Sequence, residues 1–156
     1  MSEEDAKNFL LEAKYGRLGM SQNGESYVIP IGYIYDQKAD EIYMHCAKKG
    51  RKIDTIMANP IVCFEIDEMT SIVVGDIPCE YDTLFRSVIA FGTASFVEGL
   101  SKKADVVNRI FEKYAGEAAK VPITEKTVEG TQVIMIKIKS KTGKESKGET
   151  IPYPQP

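Results

Sequence analysis

Lys48-Lys49-Gly50-Arg51-Lys52 puts four cations within five residues, where a strand pattern gives way to a helical one. Backbone N–H groups at a helix start lack intrahelical partners and favour an anion, and glycine lets that anion come close. Arg51 offers a planar fork to phosphate oxygens and Lys52 a point charge. A solvated basic loop has the same composition, but cations at a helix start oppose the helix dipole, which favours a bound counter-anion. The single histidine, His45, lies five residues before Gly50 on a strand pattern. It is either an ordinary half-buried ring or the candidate catalytic group. Cys46 and Cys63 also fall inside strand patterns, as core packing or as nucleophiles.

Other chemistries lack their residues. Cys46, Cys63 and Cys79 form no Cys-x-x-Cys pair, and three cysteines close no disulfide framework. With one histidine there are too few soft ligands for zinc, so no metal is expected. Neither Gly-x-Gly-x-x-Gly nor Gly-x-x-x-x-Gly-Lys-[Ser/Thr] occurs, which removes the common dinucleotide and P-loop sites. Lys141-Thr142-Gly143 matches a penicillin-binding triplet, but no Ser-x-x-Lys accompanies it. Twenty Lys+Arg against 23 Asp+Glu leave a net charge of −3, which gives no bulk electrostatic case for nucleic acid. No apolar run approaches the roughly 18 residues that span a bilayer. The acidic start MSEEDAKNFL has no signal-peptide pattern, so a cytoplasmic protein away from membranes is expected.

These residues must be positioned by elements that the pattern also indicates. Ser2-x-x-Asp5 is a capping box, and Ala6, Phe9, Leu10 and Ala13 follow at helical spacing over Ser2 to Lys14. Asn23-Gly24 is a strong hairpin signal. Ser26 to Tyr35 reads as a strand interrupted by Pro30 and Gly32, which implies an edge position, a bulge or close approach to the backbone. A strand over Glu41 to Cys46 and a short helix over Ile53 to Ala58 follow, the helix ended by Asn59-Pro60. Ile61 to Asp67, Ser71 to Ile77 and Ser87 to Val97 read as strands, with a loop over 76–85. Ser101 to Ala115 is an amphipathic helix with Val107, Ile110, Phe111 and Tyr114 on one face, and Thr131 to Lys139 alternates as a last strand. The residues from Ser140 onward read as an extended tail.

About six strands joined by tight turns, with two or three flanking helices, predict a mainly β, antiparallel small barrel. With 156 residues and 43% hydrophobic composition, one core suffices without staples.

Three ordered blocks carry a resemblance: RLGMSQNGESYVIPIGYIYD, EIYMHCAKKGRKIDTIMANPIVCFEID and FRSVIAFGTASFVE. Together they resemble the FMN-binding split-barrel family related to pyridoxamine 5'-phosphate oxidase, in particular its nitroimidazole-resistance (Nim-type) branch. The resemblance implies a homodimer of split β-barrels with FMN at the subunit interface, a domain over 1–140 and a tail over 141–156. It implies that Pro30, Ile31 and Gly32 lie along the isoalloxazine and that His45 and Cys46 contact the flavin. It implies also that Arg51 and Lys52 bind the phosphate and that Ser87 makes a polar contact. The absence of tryptophan and the tail KTGKESKGETIPYPQP depart from the vitamin-oxidising enzymes, which argues against pyridoxamine phosphate as substrate.

The expected function is an FMN-dependent oxidoreductase reducing a small electrophile such as a nitroaromatic. The alternatives are a non-catalytic flavin or haem carrier or sensor on the same barrel, and a basic-loop interaction module without cofactor.

Overall fold

The computed structural model describes residues 1–75, 77–116, 123–146, 148 and 151–152. The first helix, α1 (Glu3–Glu12), starts on the expected capping box: the Ser2 hydroxyl accepts from the Asp5 N–H, and the Asp5 carboxylate accepts from the Ser2 N–H. Its stripe of Ala6, Phe9 and Leu10 is buried. The hairpin β1 (Gly16–Gln22) to β2 (Glu25–Ile31) turns at Asn23 and Gly24, both with positive φ. The segment expected as one strand over 26–35 is two, because the chain breaks at Gly32-Tyr33 before β3 (Ile34–Asp36). Pro30 cannot donate to a ladder, and it lies on β2, one of the two outer strands, where proline is tolerated.

Next come β4 (Glu41–Ala47) and α2 (Arg51–Ala58), then β5 (Ile61–Val73) and β6 (Asp82–Phe96). Two expectations are corrected here. The segment Ser71 to Ile77 is no separate strand, since β5 continues through a bulge at Met69/Ser71 and ends at Val73. Residues 82–85 are no loop, because Asp82 to Leu84 pair with Val73 to Ser71 and start β6; Asp76 lies outside the described residues. Helix α3 (Leu100–Ala115) precedes β7 (Thr131–Glu145), which pairs with β6 as far as Glu145 and so runs into the segment read as a tail. A two-residue β8 (Ile151–Pro152) adds to the far end of β5. The rest of that segment, 147, 149–150 and 153–156, lies outside the described residues.

Every pairing among the described residues is antiparallel, in the order β2-β1-β5-β6-β7-β4-β3, and the two outer strands do not meet. The sheet is an open barrel with more strands than the six expected. Its interior is filled by Leu18, Phe64, Ile66, Val88, Met44, Ile134 and the α1 stripe. A second cluster forms where α3 lays Val106, Val107 and Ile110 on Ile34, Tyr43 and Val133. No helix among the described residues is long and apolar enough to cross a membrane.

Candidate functional site

Helix α2 starts two residues earlier than the pattern implied, so Arg51 and Lys52 occupy its first turn instead of preceding it. Gly50 caps it at φ 128°, a backbone conformation that an L side chain rarely adopts. No side chain caps this end. The Gly50 carbonyl accepts from Ile53 N–H (2.8 Å) and Asp54 N–H (3.2 Å), as a helix start requires. The corner therefore presents backbone N–H groups and two cations together, the donor set that a phosphate needs.

Arg51 leans toward β2. Its guanidinium donates to Glu25 at 2.5 Å and lies 4.4 Å from the centre of the Tyr27 ring. The charge of Lys52 acts on His45 and Cys46 at the end of β4. Partial desolvation first, then Lys52, hold the His45 imidazole below its ordinary value. At neutral pH the ring is thus uncharged, with one donor and one acceptor nitrogen. Burial pushes the Cys46 thiol up against the opposing pull of Lys52, and burial also raises Cys63. Both thiols stay protonated, which suits packing better than nucleophilic attack.

The far end of β2 meets the site through α3. The Tyr114 hydroxyl accepts from Tyr33 N–H (2.8 Å) and donates to Tyr33 C=O (3.2 Å). A Cβ on Gly32 would lie 3.3 Å from the Tyr114 ring, so this glycine admits a close approach. One turn back on α3, the Phe111 ring stands 6.2 Å from His45, tilted by 31°. Phe111 and Tyr114, expected on one face of α3 with Val107 and Ile110, remain 42% and 45% exposed. The sequence reading assigned them no role. Two aromatics ending an amphipathic stripe are the signal that could have marked them.

Of the predicted site residues, His45, Cys46, Arg51 and Lys52 share the β4–α2 corner. Pro30, Ile31 and Gly32 stand at the opposite end of β2 from Glu25, about 20 Å of strand away. Ser87 is not among them. It pairs with Asp67 and Lys144, whereas His45 lies opposite Val133, roughly 30 Å further along the sheet at ~3.3 Å per residue.

Lys113, beside Tyr114, carries a separate cost. Its Nζ is enclosed, has no hydrogen-bond partner among the described residues, and lies 4.0 Å from the centre of the Tyr33 ring. Burial lowers its pKa to about 8. Below that value the amine is charged in both folded and unfolded chains, and the folded state bears the full penalty. Between about 8 and the ordinary 10.5 only the folded amine is neutral, so the penalty fades as pH rises. Lys113→Met is expected to raise stability at pH 7 by about 1–3 kcal/mol. In denaturant melts that gain should vanish by about pH 10.5; a pH-independent gain, or a loss at pH 7, would contradict the assignment.

An open antiparallel barrel whose two outer strands, β2 and β3, do not pair defines a split β-barrel. The sequence matches the model of the pyridoxamine 5'-phosphate oxidase family over residues 2–145, and the chain belongs to that family. Its fold is similar to that of a proposed 5-nitroimidazole antibiotic resistance protein of Bacteroides thetaiotaomicron. That match has 22% identity and a TM-score of 0.79, over 91% of this chain and 82% of that one. It is similar also to a FAD and heme binding protein of Mycobacterium smegmatis, at 18% identity and a TM-score of 0.83, over 97% and 75% of the two chains. The flavocytochrome Anf3 of Azotobacter vinelandii gives 21%, 0.82, 97% and 71% in the same order. Among curated proteins none matches this sequence.

Proposed function

We propose that the chain is an FMN-dependent oxidoreductase that reduces a small electrophile, of which nitroaromatics are the class to try first. The observation that carries this reading is the β4–α2 corner, where Arg51, Lys52 and the α2 N-terminus converge at one end of β2 while Gly32 lies at the other. A phosphate suits the first, and a flat ring would lie along the backbone that leads to the second. Family membership and the FAD named for the Mycobacterium smegmatis neighbour support a flavin as the cofactor. A flavin supplies hydride and electron transfer, and the protein's part is to bind, orient and tune it. Arg51 and Lys52 would hold the phosphate, Pro30 to Gly32 would support the ring, and neutral His45, beside Cys46, would offer it one hydrogen-bond donor and one acceptor. The free thiols of Cys46 and Cys63 suit a reducing, cytoplasmic compartment.

The same reading requires a homodimer. Val28, Gly19, Cys63 and Phe91 form one row across four strands on the outer face of the sheet. Val28 is 60% exposed, and Phe91 and Ile61 are each 52% exposed. A shallow groove of about 280 Å³ runs along this row. A two-fold partner on this face covers the apolar row. It also explains Ser87, which lies too far from His45 to serve the same flavin within one chain but can serve the partner's. Light scattering at micromolar concentration should give twice the 17.4 kDa of the chain, and Phe91→Lys should give the single chain. A wild-type monomer would contradict the dimer.

The function itself is tested by mixing the flavin-loaded protein with NAD(P)H and a nitroaromatic. Bleaching of the yellow colour followed by recovery on adding acceptor is expected. Tight flavin binding with neither step would instead indicate a carrier or sensor.

A further inference from the structure

We infer that Tyr114 is a positioning residue for the flavin ring, an inference that rests on the flavin reading above and extends it to the last turn of α3. Tyr33 sits at the break between β2 and β3, where no ladder takes its backbone groups. Tyr114 takes both of them with one hydroxyl, at 2.8 and 3.2 Å. The Tyr33 side chain is fixed as well, since its hydroxyl donates to Leu10 C=O at 2.8 Å and its ring packs edge-on to Phe64 at 4.8 Å. Gly32 is thereby held between a residue with every polar group engaged and the Tyr114 ring, which a Cβ on Gly32 would meet at 3.3 Å. The height of this backbone decides how closely a flat ring can lie on it. A solvent-exposed helix end that supplied only packing would need neither contact, and Tyr114 remains 45% exposed while making both.

The test titrates FMN and riboflavin into full-length wild type, Tyr114→Phe and Val107→Ala, recording the visible spectrum of the bound flavin. Tyr114→Phe keeps the ring and removes both hydrogen bonds. It is expected to weaken FMN and riboflavin equally, by about tenfold, and to move the bound spectrum toward that of free flavin. Val107→Ala trims buried volume two turns before Tyr114 and keeps both hydroxyl contacts, so both affinities and the spectrum should stay as in wild type. The inference is overturned if Tyr114→Phe leaves affinity and spectrum unchanged, or if Val107→Ala reproduces its effects. Wild type that binds neither ligand overturns the flavin reading itself, and this inference with it; wild type that binds while Tyr114→Phe matches it overturns the inference alone.

Discussion

Replacing Arg51 with alanine should weaken FMN binding by about tenfold to a hundredfold and leave riboflavin binding nearly unchanged. The two ligands differ only in the phosphate, and a charge-assisted hydrogen bond contributes roughly 1.5–3 kcal/mol, with each 1.4 kcal/mol a factor of ten. The structure adds a competitor: the guanidinium donates to Glu25 at 2.5 Å, so the phosphate must share or displace that carboxylate. Glu25→Gln should therefore strengthen FMN binding severalfold, since it frees Arg51 and removes a like charge from the phosphate. Both partners are exposed, which keeps their own ion pair weak and the exchange feasible. Equal losses for FMN and riboflavin in Arg51→Ala would mean that Arg51 serves the ring or the fold. No loss for either would remove the anion site.

The largest expected loss of stability is at Phe64. The ring is fully buried at the centre of the barrel, 4.8 Å from Tyr33 in an edge-to-face arrangement. Gly16 approaches it so closely that a Cβ there would fall 2.3 Å from Cζ. Truncation leaves a cavity that flanking strands, tied by ladders on both sides of β5, cannot collapse into. Phe64→Ala should cost about 3–5 kcal/mol in denaturant unfolding, and Phe64→Leu, which keeps most of the volume, less than half of that. A cost below about 1 kcal/mol for the alanine variant would show that the interior is not packed as described.

The parts of this fold that local pattern dictates were legible in the chain. The Ser2 capping box, the Asn23-Gly24 turn and the 3.6-residue stripe of α3 each depend on residues within a few positions of one another. The corner at Gly50 was legible for the same reason. What failed was non-local. Residues 82–85 carry turn-like Asp82 and Thr83, yet pairing with the end of β5 draws them into β6. Ser140 to Glu145 look like a tail by composition, and pairing with Phe91 to Arg86 of β6 makes them strand. In the site, the interruption near Gly32 was visible, but its clamp was not. Tyr114 is 81 residues from Tyr33, and only the packing of α3 across β3 and β4 brings them together.

The central claim is that one flavin binds each chain with its phosphate at the β4–α2 corner. Titration of cofactor-free protein with FMN, followed by quenching of flavin fluorescence, tests it most directly. Saturable binding at one FMN per chain and weaker binding of riboflavin are expected. Absence of saturable binding, or equal affinity for the two ligands, would contradict it.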